Sequence, residues 1–185
     1  MSTKVEATID DLYKVEGKAE LVNGEIILMS PTGLLPNLAA GEIFTSLRNY
    51  SRQQKFGHVL TDNAAFVVDL PHRKSFSPDV SLYIGNATMK FGEGAPVFAV
   101  EVRSDGDYGP RAERQMAAKR SDYFAAGTLV VWDVDILSED VVRVYRATDS
   151  EKPVVYRRSQ LAEAEPAVPG WRMPVDDLFP EEHEG

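Results

Sequence analysis

The 185-residue chain contains no cysteine, only three histidines and two tryptophans. Without cysteine it has no disulfides, thiolate nucleophiles or thiolate metal sites, so any metal ion must be bound by oxygen or histidine ligands. Basic residues number 20 against 29 acidic ones, and the net charge of −9 disfavours loose, nonspecific attraction to nucleic acid, although a local basic groove remains compatible with it. No apolar run approaches the ~20 residues of a membrane span, and residues 1–11 do not resemble a signal peptide. We therefore expect a cytoplasmic protein with no membrane partner.

The residues that are present indicate one α/β domain. A hydrophobic fraction of 43% and an even composition predict a single unit over residues 1–185, with a core over about 8–179 and an acidic tail over 180–185. Strand, helix and strand in succession after residue 96 favour a parallel crossover. In chain order, the patterns predict a helix between Thr8 and Gly17, a hairpin over Ala19–Met29 turning at Asn23-Gly24, a helix over Asn37–Gln54, strands over Val59–Leu70, Asp79–Ile84 and Pro96–Val102, a helix over Arg111–Ala126, a strand over Leu129–Asp135, and edge strands over Val141–Arg146 and Val154–Arg157.

Glu101 lies within the most apolar of these strands. A buried carboxylate costs several kcal/mol unless a cation or a proton compensates it, at roughly the scale known for unpaired buried ions. Lys119 is a candidate partner, because helical spacing places it in the inward-facing stripe of the helix that follows. A lone lysine in that position more commonly extends its ammonium group to solvent. The alternative is an ion pair with Glu101, which is typical of functional sites.

Asp79 supplies a second carboxylate at the start of the neighbouring predicted strand. Taken alone it is an ordinary solvated strand end. Together with Glu101 and a main-chain carbonyl, it forms the hard oxygen ligand set that Mg²⁺ or Mn²⁺ prefers, and a nearby lysine can stabilise developing negative charge. The combination predicts hydrolysis of phosphodiesters.

A series of short motifs runs along the chain: Glu20-Leu21-Val22-Asn23-Gly24-Glu25-Ile26, Met29-Ser30-Pro31, Pro78-Asp79, Val100-Glu101-Val102-Arg103-Ser104, Lys119 with Tyr123, Gly127, and Trp132-Asp133-Val134-Asp135. Their order and spacing resemble the Uma2 family, which is common in bacteria and is placed in the PD-(D/E)XK nuclease superfamily. The resemblance spans roughly Leu12 to Phe179 and implies a restriction-endonuclease-like fold, with a mixed central sheet flanked by helices and an N-terminal β-hairpin.

By this resemblance, Asp79, Glu101 and the backbone carbonyl of Val102 bind Mg²⁺ or Mn²⁺. Lys119 is then the relocated catalytic lysine, and Glu20 is a further catalytic acid, whereas residue pattern alone makes Glu20 a half-buried edge carboxylate. Two family positions have lost a titratable group, since Asn37 stands where a histidine is frequent and Gln115 where an aspartate is frequent. We place both residues among the substrate contacts.

Arg103 stands two residues after Glu101, where the superfamily usually has its lysine. Arginine cannot act as a general base, but it can bind a phosphate through two hydrogen bonds. A salt bridge from Arg103 to Asp105 or Asp107 is an equally weighted alternative. The arginines at 73, 111, 114 and 120, with Lys74, are expected to form a local positive rim.

Three functions remain open at this point. The first is a metal-dependent endonuclease acting on nucleic acid, with DNA favoured. The second is a noncatalytic interaction or regulatory module that retains the nuclease fold. The third, compatible with both, is a homodimer in which the exposed edge strands over Val141–Arg146 pair across a two-fold axis.

Overall fold

The computed structural model describes residues 5–181, so residues 182–185 of the predicted acidic tail lie outside the described residues. Within the described range the chain forms three α-helices, one 3₁₀ helix, one large sheet and three small sheets. The helices are α1 (Ile9–Leu12), α2 (Leu34–Gln54) and α3 (Pro110–Ala125), with the 3₁₀ helix at Val175–Leu178. The strands are β1 (Ala19–Val22), β2 (Glu25–Leu28), β3 (His58–Leu60), β4 (Phe66–Val67), β5 (Ser75–Phe76), β6 (Val80–Tyr83), β7 (Gly92–Glu93), β8 (Phe98–Val102), β9 (Val130–Val134), β10 (Val142–Arg146), β11 (Asp149–Tyr156), β12 (Leu161–Glu163) and β13 (Arg172–Pro174).

The central sheet has six strands in the order β11-β10-β9-β8-β6-β3. Strands β8 and β9 run parallel and are connected through α3, which confirms the predicted crossover, whereas the other neighbouring strands are antiparallel. Two predictions about strands were wrong. The segment Val59–Leu70 is divided between two sheets, as β3 and β4, and β10 is an interior strand because it pairs with both β9 and β11. Dimerisation through an exposed edge at Val141–Arg146 is therefore contradicted.

Alternation along β8 and β9 separates the two faces of this sheet. Phe98, Val100 and Val102 join the larger core, which includes the buried residues of α2, while Ala99 packs with Tyr123 of α3 in a second core. Because side chains alternate along a strand, Glu101 falls on the Ala99 face, toward α3. Asp133 of β9 is the register partner of Glu101 and lies on the same face. The charged residues of β8 and β9 therefore lie on the face of the sheet that α3 covers.

The predicted hairpin is present as β1 and β2, and its Asn23-Gly24 turn has φ of 51° and 69°, as a tight two-residue turn requires. Backbone hydrogen bonds attach β1 to the segment before β5: Lys74 donates to the Leu21 carbonyl at 2.9 Å and Asn23 to the His72 carbonyl at 2.6 Å. This attachment fixes the position of Glu20 relative to the central sheet.

The first and last parts of the chain pack on this framework. A capping box between Thr8 and Asp11 begins α1, as predicted, although the helix ends at Leu12, well before Gly17. Trp171 and Leu178 are buried in the larger core and anchor the C-terminal segment to it. No helix in the described range 5–181 is long and apolar enough to cross a membrane.

Gly24 provides a test of the hairpin turn. An alanine at its left-handed backbone conformation is strained by about 1–2 kcal/mol, so Gly24→Ala should lower the free energy of unfolding by about that amount. The matched control is Gly41→Ala, in the interior of α2, where an added Cβ meets nothing within 4 Å. The control should be more stable than the parent by roughly 0.5–1 kcal/mol in urea unfolding. Equal effects of the two substitutions would contradict the proposed turn geometry.

Candidate active site

A cleft of about 980 Å³ lies between the β1–β2 hairpin, the start of β6, the end of β8, and residues 115–123 of α3. Its wall includes the loop over 104–107. The three predicted carboxylates Glu20, Asp79 and Glu101 and the predicted lysine Lys119 all line it. The structure therefore brings the four predicted catalytic side chains into one cavity.

Lys119 lies between two of these carboxylates. Its Nζ is 2.8 Å from Glu101 Oε1 and 2.9 Å from Glu20 Oε1, and its side chain is only 16% exposed. The predicted Lys119–Glu101 ion pair is thus present, and the alternative of a lysine extended to solvent is not. Burial disfavours the charged form of Lys119, but Glu101 and Glu20 outweigh it and raise the pKa of the ammonium. Lys119 is accordingly a permanent cation at neutral pH.

The surroundings of Glu101 disfavour its charged form, unlike those of Lys119. Burial, and then the negative charges of Asp79 and Glu20, raise the pKa of its carboxyl even though Lys119 opposes them. Tyr123, one helical turn after Lys119, donates its hydroxyl proton to Glu101 Oε1 at 2.6 Å. Burial, reinforced by the charge on Glu101, raises the pKa of Tyr123 well above its usual value, so the hydroxyl remains a donor.

Glu20 is 3% exposed, so the interpretation as a half-buried edge carboxylate was wrong. Besides Lys119, it accepts hydrogen bonds from the guanidinium of Arg73 at 2.6 Å and from the Ser77 N–H at 2.8 Å. Arg73 in turn binds Asp122 of α3 at 2.8 Å. Burial opposes ionisation of Glu20, but Lys119 and Arg73 outweigh it and lower the pKa of its carboxyl.

Asp79 is held at the start of β6 by its own backbone and by β8. Its N–H donates to the Val100 carbonyl at 3.0 Å, and its Oδ2 accepts the Val102 N–H at 2.7 Å. Its Oδ1 lies 2.7 Å from Nζ of Lys18, a residue that the sequence analysis missed. The available signal was alternation, since Lys18 immediately precedes the predicted hairpin and stands two residues before Glu20, so extended chain would place both side chains on one face.

Arg103 follows Glu101 onto the α3 face but does not remain free for a phosphate. It binds Asp133 through Nε at 2.8 Å and Nη2 at 2.7 Å, and it contacts Glu113 through its other nitrogen. Both predictions for Arg103 are therefore corrected, because its carboxylate partners are neither Asp105 nor Asp107, and its donors are already engaged. Arg103 lies two residues after Glu101 and on the same face of the sheet. It can pair with Asp133 because Asp133 is the neighbour of Glu101 on the adjacent strand β9.

The remaining predicted contacts are more peripheral. Gln115 is exposed on α3 and lines the cleft, whereas Asn37 is exposed on α2 and borders only a small crevice beside Asp62 and Asp79. The predicted positive rim is wrong for three of its five members, whereas Arg111 and Arg114 are exposed on α3 but do not line the cleft. Arg73 is buried on two carboxylates, Arg120 stacks on the Tyr145 ring, and Lys74 binds Asp69 outside the cleft.

The donor set of the site fits a divalent cation, although a complete cage is not present. Within the described residues, no three His, Cys, Asp or Glu side chains converge as a ready-made metal site. Mg²⁺ is nevertheless commonly bound by one or two carboxylates with water filling its other positions. Asp79 and Glu101 offer such a pair beside the Val102 backbone, and a cation there would stabilise the ionised form of Glu101, whose pKa is raised by burial and then by the charges of Asp79 and Glu20.

A mixed sheet with an antiparallel hairpin, a parallel β8–α3–β9 crossover and paired acids at the strand ends defines a restriction-endonuclease-like fold. A family model matches residues 8–176, and the chain belongs to this family, Uma2, described as "Putative restriction endonuclease". A solved structure from Anabaena variabilis, described as "a putative nuclease belonging to DUF820", is similar with a TM-score of 0.74 and 18% identity, over 93% of this chain and 97% of that one. That likeness confirms the fold. A comparison with curated proteins found no match.

Glu20 offers a test of the buried ion network. Glu20→Gln should lower the free energy of unfolding at neutral pH by about 3 kcal/mol, because removing one member of a buried pair leaves its cations uncompensated. The pKa of Glu20 is lower in the folded protein than its value of 4.5 in the unfolded chain. The contribution of ionised Glu20 to the free energy of unfolding is therefore complete above pH 4.5, and it is lost as the pH falls through the folded-state pKa.

Urea unfolding of parent and variant at a series of pH values provides the measurement. The difference in free energy of unfolding between parent and variant should narrow only below pH 4.5. Glu151→Gln, on the exposed part of β11, is the matched control and should change stability little at any pH. A difference that stays constant down to the acid transition would contradict a lowered pKa of Glu20 in the folded protein.

Proposed function

We propose that this protein is a metal-dependent endonuclease that hydrolyses phosphodiester bonds of nucleic acid, with DNA the favoured substrate. The observation that carries the proposal is the Glu20–Lys119–Glu101 arrangement beside Asp79 on the floor of an open cleft. Membership of a family described as "Putative restriction endonuclease" supports the same activity.

Asp79 and Glu101 would hold Mg²⁺ or Mn²⁺, with the Val102 carbonyl as a third oxygen donor. The ion supplies positive charge beside the reacting phosphate, a Lewis-acid contribution of several kcal/mol to the transition state. Asp79 is oriented for this role by the Val102 N–H, and Glu101 by the Tyr123 hydroxyl. Both carboxylates are thus held in place before any ligand arrives, which lowers the cost of forming the site.

Lys119 acts through its charge. Because neighbouring carboxylates raise its pKa and keep it protonated at neutral pH, we assign Lys119 an electrostatic role rather than that of a general base. It can donate to a phosphate oxygen as negative charge develops, which is the role of a preorganised donor. Glu20 and Arg73 position Lys119 and need not touch the substrate.

The activity is tested by cleavage of labelled single- and double-stranded DNA and RNA with Mg²⁺ or Mn²⁺. Asp79→Asn keeps the size of the side chain but removes the ligand charge, so cleavage should fall at least 100-fold while the fold persists. Lys119→Ala should also abolish cleavage, and it should destabilise the protein by about 3–5 kcal/mol because it leaves two buried carboxylates without their cation.

Lys90→Ala, at an exposed lysine outside the cleft, is the control for both variants and should cleave at the parent rate. Equal cleavage by parent and Asp79→Asn from parallel preparations would indicate a contaminating nuclease. Full activity in both site variants would contradict the assignment.

A noncatalytic interaction module with the nuclease fold is the second candidate. It is favoured by one observation: the acids of the site already have protein cations, Lys18 on Asp79 and Lys119 on Glu101. The two candidates differ in their response to metal. A nuclease site that binds Mn²⁺ only when folded stabilises the protein by RT ln(1 + [Mn²⁺]/Kd), about 2.7 kcal/mol at 100 times Kd.

The measurement is the melting temperature at increasing Mn²⁺ concentration, for the parent and for Asp79→Asn. A nuclease should show a rise of several degrees in the parent that is lost in the variant. An unchanged melting temperature of the parent at millimolar Mn²⁺ would support the interaction module.

A further inference from the structure

Lys18 has a position that neither the motifs nor the proposed chemistry explains. It immediately precedes β1, its side chain is 14% exposed, and its Nζ contacts two carboxylates at once, Asp62 Oδ1 at 2.6 Å and Asp79 Oδ1 at 2.7 Å. Lys18 and Asp62 both line the cleft. The ammonium therefore lies on the carboxylate that the proposed function assigns to a metal ion.

Both oxygens of Asp79 are occupied in this arrangement, Oδ2 by the Val102 N–H and Oδ1 by Lys18. A divalent ion that binds Asp79 would therefore face the Lys18 ammonium at close range, and like charges near a protein surface repel by several kcal/mol at about 4 Å. The backbone hydrogen bond to Oδ2 is fixed by the strand, whereas a lysine side chain is flexible. The Lys18 ammonium is thus the group that must move away from Asp79 when a cation binds there.

Asp62 offers the ammonium a place to go. Its side chain is 46% exposed, compared with 13% for Asp79, and it already contacts Lys18. Leaving Asp79 therefore requires only that Lys18 keep the contact it has with Asp62. Lys119 has no comparable second partner outside the site, since both of its carboxylate partners, Glu20 and Glu101, belong to the site itself.

We propose that Lys18 is an internal counter-ion for Asp79, which occupies the cation position when no metal is bound, moves onto Asp62 when a divalent ion binds, and thereby sets the metal affinity of the site. This inference rests on the proposed function in one respect, the assignment of Asp79 as a metal ligand. Lys18 is a positioning residue, and Asp62 acts through it.

The test is the Mn²⁺ affinity measured by isothermal titration calorimetry at constant pH and ionic strength. Lys18→Met keeps the apolar stem and removes the charge, so it should bind Mn²⁺ at least tenfold more tightly than the parent. Lys18→Arg keeps the charge and should remain within about threefold of the parent. Lys14→Met, at a lysine that is 74% exposed and paired with Asp11, should not change the affinity. Circular dichroism establishes that each variant is folded, and Lys18→Gln replaces Lys18→Met if the latter is not.

Asp62→Asn separates the role of Asp62 from direct metal binding. If Asp62 receives the displaced ammonium, its loss should weaken Mn²⁺ binding in the parent but not in a protein that already carries Lys18→Met. Equal weakening in both backgrounds would show that Asp62 is itself a ligand and would overturn its assigned role.

The possible results distinguish this inference from the proposed function. Unchanged or weaker Mn²⁺ binding in Lys18→Met, in a parent that binds Mn²⁺ and cleaves, would overturn the counter-ion alone. Tighter binding in Lys18→Met, with no cleavage by any of the proteins, would uphold the counter-ion and overturn the nuclease. A parent that does not bind, with a Lys18→Met variant that does, supports the counter-ion. No binding by either would overturn both.

Discussion

The contact of Lys119 with Glu20 and Glu101 holds the site together, because it joins three elements that are distant in sequence. Glu20 comes from the hairpin, Glu101 from β8 and Lys119 from α3, and Arg73 and Asp122 extend the same alternation of charges behind them. Each carboxylate is tolerable in the interior only because a cation lies beside it, and removing any one member leaves the others uncompensated. The arrangement therefore specifies how the hairpin docks as well as where the site forms.

This network also bears on the proposed action of an acidic protein on a polyanion. Arg73, which was expected in a positive rim, is used internally on Glu20 and Asp122, and Arg103 is used on Asp133 and Glu113. Little free positive charge remains on the floor of the cleft to attract a phosphate. A bound divalent ion would supply it at the point of reaction, and Lys119 would add a fixed donor beside it. The electrostatics of the cleft are thus consistent with a site that is completed by metal.

Local patterns predicted the parallel crossover and three members of the site, Asp79, Glu101 and Lys119, whereas the restriction-endonuclease-like fold and the place of Glu20 came from the family resemblance. A carboxylate in an apolar strand, a lysine in the inward stripe of a helix and an Asn-Gly turn are readable from periods of 2 and 3.6 residues and from turn chemistry. Partners of Arg103, Arg73 and Lys18 were not predictable in this way, because they depend on which strands become neighbours. The Lys18–Asp79 pair spans 61 positions and the Arg73–Glu20 pair 53. The interior position of β10 was missed for the same reason, since a short apolar strand reads alike at an edge and within a sheet.

The most direct test of the account is a crystal structure of the protein soaked in Mn²⁺, with anomalous diffraction recorded at the manganese edge. We expect an anomalous peak bonded to carboxylate oxygens of both Asp79 and Glu101, with Lys119 still in contact with Glu20. Saturating Mn²⁺ with no peak at these two carboxylates, or with manganese bound only elsewhere, would contradict a metal-dependent active site at this position.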